Sequence, residues 1–146
     1  MVETAYATAF DLRGAIVRRE VSAVEVVSAT LERLEKLEPH LNAFVTPTPE
    51  LALEAAREAD AALARGEEPG ALHGLPLSVK DLIDVGGVRT TFGSRLMAGN
   101  IAAADAPSVE RVRAAGACII GKSTTTEFGC KAGGGDSPLT GGTRNP

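Results

Sequence analysis

Two short apolar runs with a helix-patterned stretch between them constrain this chain more than any other feature. They are Leu75-Pro76-Leu77-Ser78-Val79 and Ala117-Cys118-Ile119-Ile120. Both are too short for a buried helix and suit strands, which typically run ~5–6 residues. Before the second run, Pro107 to Ala115 carries Val109 and Val112 on one helical face and Arg111 and Arg113 on the other, with Gly116 as the stop signal. Leu75 to Val85 reads as a buried strand and its continuation, interrupted by Lys80, Asp81 and Asp84. Strand, helix and strand in that order predict an α/β sandwich, a sheet flanked by helices.

Upstream of Gly74 the pattern is helical. Thr8 and Asp11 have capping-box spacing ahead of Leu12 and Ile16. Ser22 and Glu25 repeat that spacing before an apolar stripe of Val24, Val27, Leu31 and Leu34, and Pro39 is expected to close the helix. Leu41 to Thr46 reads as a short strand. Thr48 then caps a third helix with Pro49 at its first position and Gly66 near its end, and its many alanines allow close packing on a sheet. The chain thus reads as a helical region over about 1–72 and an α/β part over about 73–146, together one domain.

Composition excludes several classes. With 44% hydrophobic and 23% charged residues the chain is globular rather than disordered. A net charge of -4 without a basic run argues against nucleic acid and anionic membranes as partners. No apolar stretch approaches the ~20 residues that span a bilayer. Glu3, Asp11 and Arg13 near the start do not suit a signal peptide. Cys118 and Cys130 lack CxxC spacing, and His40 and His73 have no nearby ligand partner. Reduced thiols, no metal site and a cytoplasmic location are expected.

Gly74-Leu75-Pro76-Leu77-Ser78-Val79-Lys80-Asp81 is the first segment with chemistry. Strand alternation puts Leu75, Leu77 and Val79 on one face and Ser78 and Lys80 on the other. A lysine enclosed by apolar residues loses proton affinity, which suits it to act as a general base. The ordinary reading is a strand-end lysine paired with Asp81 or Asp84. Gly116-Ala117-Cys118-Ile119-Ile120-Gly121-Lys122-Ser123 matches the phosphate-loop pattern GxxxxGK[ST] letter for letter. That motif needs a strand before it and a loop within it, whereas here a helix precedes and the middle is an apolar strand. Backbone amides committed to a sheet cannot also cradle phosphates. Thr124 and Glu127 have capping-box spacing for a short helix. Gly133-Gly134-Gly135-Asp136-Ser137-Pro138 is either a flexible turn or a loop that brings backbone close to a ligand.

Taken in order, these segments resemble the amidase-signature family. Gly74–Asp81 looks like its GxPxxxKD segment and Thr90-Thr91-Phe92-Gly93-Ser94 like its TTxGS element. Ala103 to Glu127 and Thr143-Arg144-Asn145-Pro146 follow in the family's order. The resemblance implies an amidase-signature mixed sheet flanked by helices, of which this chain is the N-terminal portion, and it absorbs Gly116–Ser123 as a helix–strand–helix unit. It also implies a Ser–cis-Ser–Lys triad that hydrolyses a small-molecule carboxamide through an acyl-enzyme, with Lys80 as the base and with no metal or organic cofactor. Both serines of the family lie beyond the Asn-Pro element, so the chain reads as interrupted before them and inactive alone. Leu77, Val79 and Ile119 are then expected on a face open to further protein. Thr124 departs from the asparagine common in the family. The Gly-rich Lys131–Gly142 stretch looks more like stand-alone amidases, for which a homodimer is a compatible assembly. The alternatives are a nucleotide-binding module at Gly116–Ser123, a non-catalytic binding domain that retains the amidase start, and the tRNA-dependent amidotransferase subunit.

Overall fold

A computed structural model describes residues 6–131 and 137–146. Helix α1 spans Ala9–Val17 and begins as its capping box predicts. Thr8 Oγ1 accepts from the Asp11 amide at 3.1 Å and donates to the Asp11 carboxylate at 2.7 Å. Helix α2, Ala23–Leu41, starts the same way: Ser22 Oγ accepts from the Glu25 amide at 3.0 Å, and the Glu25 carboxylate accepts from the Ser22 amide at 2.8 Å. A second carboxylate serves the same helix end. Asp60 accepts from the amides of Ala23 at 2.7 Å and Val24 at 3.1 Å, covering donors that a helix start leaves without partners.

Pro39 does not close α2. It lies inside the helix, where it gives up one backbone bond, and the ladder continues with the Asn42 amide on the Glu38 carbonyl at 2.9 Å. Asn42 then turns the chain at φ 52°, a left-handed conformation that asparagine tolerates better than most residues. The buried set of α2 is Ala23, Val26 and Val27, while Val24, Leu31 and Leu34 are half-buried. Small Ala23 counts in that face, which the stripe of larger residues leaves out.

Strand β1, Phe44–Pro47, leads into helix α3, Pro49–Ala64, whose buried face is Ala52, Ala56, Ala59 and Leu63. Strand β2 covers Pro76–Lys80, helix α4 Pro107–Ala114 and strand β3 Cys118–Ser123. The sheet has the order β1-β3-β2, with β1 antiparallel to β3. Leu75 accepts from the Cys118 amide and Ser123 accepts from the Asp81 amide, so β2 runs parallel to β3 and the sheet is mixed. A parallel pair needs a long crossover, which the stretch containing α4 supplies.

The expected strands shift at their ends. β3 runs on through Gly121, Lys122 and Ser123 because β1 offers them a ladder: Phe44 pairs with Ser123, Thr46 with Lys122 and Pro47 with Gly121. Gly121 is required there, since a Cβ would stand 2.9 Å from the Phe44 ring and the Thr46 carbonyl. Cys118 through Lys122 are all buried, and consecutive strand residues face opposite ways, so both faces of this stretch are covered. Val79 and Ile119 are likewise buried and Leu77 is half-buried, so they do not form the open face expected of them.

Met1–Leu34, Pro49–Leu77 and Arg111–Ile120 form one compact unit; Glu35–Thr48, Ser78–Glu110 and Gly121–Pro146 form a second, which holds the site residues described below. Within the first unit the Asp60 cap makes a direct forecast. Replacing Asp60 with alanine should lower stability to urea by about 1–2 kcal/mol, the usual loss for a helix cap, and Asp60→Asn should lose less. Unchanged stability in Asp60→Ala would show that the carboxylate does not hold the start of α2.

Candidate active site

Alternation along β2 sets the site. Leu75 and Val79 are buried, while Ser78 and Lys80 are exposed. Lys80 therefore leaves the strand end on the open side, and the apolar enclosure expected of it is absent among the described residues. Its ammonium donates to the Thr124 carbonyl at 2.5 Å. Asp81, the next residue, takes the opposite direction and is fully buried.

The ion pair expected between Lys80 and a neighbouring aspartate does not form at Asp81. Its partner is Lys122, whose ammonium stands 3.3 Å from Oδ1, both side chains having no exposed surface. The Asp81 carboxylate also accepts from the Thr91 amide at 3.1 Å and from the Thr91 hydroxyl. Lys122 donates to Thr90 Oγ1 at 2.5 Å. Burial pulls the Lys122 ammonium below its ordinary pKa of 10.5, and the carboxylates of Asp81 and Asp84 oppose that shift. The desolvated lysine of this chain is thus Lys122.

The same facts correct the nucleotide-binding reading of Gly116–Ser123. Cys118–Ser123 is a strand, and the Lys122 amine is enclosed and bound to protein groups. A phosphate has neither free amides nor an available cation there.

The Thr90–Ser94 element wraps the pair. Phe92 donates its amide to the Asp81 carbonyl at 3.1 Å and adopts φ 53°. Gly93 follows at φ +66°, where a Cβ would stand 2.6 Å from the Thr125 carbonyl, so glycine is needed for this close approach. Phe128 donates its amide to the Phe92 carbonyl at 2.7 Å, and the two rings stack with centroids 6.0 Å apart. Ser94 donates to Glu127 at 2.7 Å. Glu127–Gly129 is a single 3-10 turn, and Thr124 does not cap it. The Thr124 hydroxyl is engaged elsewhere, with the Ala43 carbonyl at 3.3 Å and the Thr143 hydroxyl at 2.6 Å. Gly133 to Asp136 lie outside the described residues. Buried Ser137 donates to the Gly93 carbonyl at 2.8 Å, so its hydroxyl is committed to structure.

Reading the sequence missed Lys122 as the charge that satisfies Asp81. A signal existed, because a lysine that ends the apolar run Cys118–Ile120 demands a buried anion. Among the described residues no group of three or more His, Cys, Asp or Glu is placed to hold a metal, and no helix is long and apolar enough to cross a membrane.

The two thiols differ. Cys118 is buried, and burial together with the Asp60 charge pushes its pKa up to about 11, whereas Cys130 is exposed. A thiol reagent at pH 8 should label one cysteine per chain, identified as Cys130 by peptide mapping, and reach Cys118 only after denaturation. Rapid labelling of both would contradict the buried position of β3.

Comparison with known proteins places these features. A family model described as Amidase matches residues 25–146. The chain is 43% identical over 127 residues to the A subunit of the glutamyl-tRNA(Gln) amidotransferase of Carboxydothermus hydrogenoformans, covering 87% of this chain and 26% of that protein. It is 47% identical over 121 residues to the protein of the same name from Methylococcus capsulatus, covering 83% and 25% respectively. The native peptide amidase of Stenotrophomonas maltophilia superposes with a TM-score of 0.89 at 33% identity, covering 98% of this chain and 30% of that one. The chain spans about a quarter of the length of the curated relatives it matches. Identity is higher to the amidotransferase subunits than to the peptide amidase, against the stand-alone character expected from Lys131–Gly142. The family match over residues 25–146, joined to a strand end that sets an exposed lysine beside a buried aspartate, shows that the chain belongs to the amidase-signature family.

Proposed function

We propose that this chain supplies the proton-accepting lysine, Lys80, of an enzyme that cleaves the carbon–nitrogen bond of a carboxamide. The placement of that amine carries the reading. Among the described residues its partner is a neutral carbonyl, that of Thr124, while the adjacent carboxylate is occupied by Lys122. No carboxylate among the described residues pairs with that amine. The amine can therefore take the proton of a serine relay as the nucleophile attacks the amide carbon. The proton passes to the leaving amine or ammonia as the carbon–nitrogen bond breaks and the acyl-enzyme forms; water then releases the acid and restores the serine. The two serines are implied by the family resemblance, and this chain serves as the N-terminal part of the domain that holds them.

The amide we favour is the side chain of glutamine, used as ammonia donor by a glutamyl-tRNA(Gln) amidotransferase to which this chain contributes part of the amide-cleaving subunit. Support comes from the 43% and 47% identity to the A subunits of such enzymes. This revises the expectation of no nucleic acid, since an assembly acting on glutamyl-tRNA(Gln) meets tRNA even where this segment has no basic patch. A cytoplasmic location goes with that reading. The second reading, a stand-alone hydrolase of small carboxamides, is favoured by the superposition on peptide amidase. Dependence of ammonia release on partner subunits and charged tRNA separates the two.

In the enzyme that carries this segment, Lys80→Ala should reduce kcat for ammonia release from glutamine by ~10² or more, the usual contribution of a general base. Lys80→Arg should fail nearly as badly, because a guanidinium does not give up its proton. Near-normal turnover in Lys80→Ala, with the fold intact by circular dichroism, would remove Lys80 from the chemistry.

A further inference from the structure

Lys80 and Asp81 are neighbours in the chain, and a carboxylate beside a lysine ordinarily stabilises the ammonium. A base needs the opposite. In this structure the Asp81 carboxylate is turned away from Lys80 and closed off by Lys122 at 3.3 Å, with the Thr91 amide and hydroxyl on its remaining positions. Lys122 in turn completes its shell with Thr90 Oγ1. We propose that Lys122 acts as a positioning residue that neutralises Asp81 and so shields the amine of Lys80 from that carboxylate. The proposal rests on the reading of Lys80 as the base, and it gives the buried lysine of the false phosphate loop a part in the reaction.

The surrounding charges leave this task to Lys122. Asp81 and Asp84 are the carboxylates that act on it. Glu127 is bound to Ser94, and Asp105 accepts from the Gly86 amide at 2.6 Å. Arg89 donates to the Val45 carbonyl at 2.9 Å and the Thr46 hydroxyl at 3.2 Å. Thr90 and Thr91, which face the pair from their own segment, bring only neutral groups. Removing the charge of Lys122 therefore leaves Asp81 as a negative charge one residue from the base, with donors from Thr91 still in place. A carboxylate that has lost its counter-charge favours the ammonium form of a nearby amine and so raises the pH at which the base becomes available.

The test is the pH profile of kcat/KM for amide cleavage by the enzyme that carries this segment. Lys122→Gln keeps hydrogen-bond donors toward Asp81 and Thr90 but drops the charge. Its acidic limb should move to higher pH, and the double variant Asp81→Asn, Lys122→Gln should bring the limb back. Lys122→Arg should stay near the wild-type limb. A merely structural role would lower activity or stability without moving the limb and without rescue by Asp81→Asn. A limb unmoved in Lys122→Gln, or moved equally in the double variant, overturns the proposal. If Lys122→Gln does not fold, the neutral double variant carries the test, and a displaced limb in it is the contrary result. Loss of activity in Lys80→Ala alongside an unmoved limb would reject the shielding role alone; full activity in Lys80→Ala would reject the base itself.

Discussion

An aspartate and a lysine with no exposed side-chain surface face each other at 3.3 Å, and the second unit is arranged around them. Taking two charges out of water costs several kcal/mol each, and their attraction offsets that only when every remaining hydrogen-bonding position is filled. Thr91 fills those of Asp81 and Thr90 contributes to Lys122. The requirement propagates outward. Thr90 and Thr91 must reach the pair, so the backbone turns sharply at Phe92 and Gly93, and that turn receives the Phe128 amide and the Ser137 hydroxyl. The backbone of Asp81 is tied on both sides, its amide to Ser123 and its carbonyl to Phe92. With Asp81 so held, Lys80 has no choice of side.

What the sequence discloses here is what is settled within a few residues. The caps Thr8–Asp11 and Ser22–Glu25 form as their spacing predicts, because donor and acceptor lie within one helical turn. The outward direction of Lys80 was equally legible, since alternation in a strand is local. Its burial was not. An apolar pattern in the chain says nothing of whether a neighbouring element covers the other side of the strand. The length of β3 was also hidden, because Gly121, Lys122 and Ser123 are strand only through their pairing with β1. Asp81 was read against Lys80, the nearest cation in the chain, whereas the fold brings it Lys122.

The letters GxxxxGK[ST] illustrate how a motif takes its meaning from structure. In a phosphate loop the lysine is free to meet an anion brought by the ligand. In this chain the lysine at that position meets an anion of the protein, and its backbone belongs to a sheet. The proposed role of Lys80 draws on the same arrangement, a strand end that puts one lysine outward and one carboxylate inward. Thr124 links that lysine to the end of the described chain, through its carbonyl to Lys80 and its hydroxyl to Thr143.

The central claim is that Asp81 and Lys122 act as one neutral buried pair. A double-mutant cycle in urea unfolding tests it most directly. Asp81→Asn and Lys122→Met should each cost about 3–5 kcal/mol, because each leaves the other group buried without its counter-charge. The double variant should cost less than either single change, the losses being strongly coupled. Single losses that simply add in the double variant would contradict the account, since the two charges would then be stabilised independently.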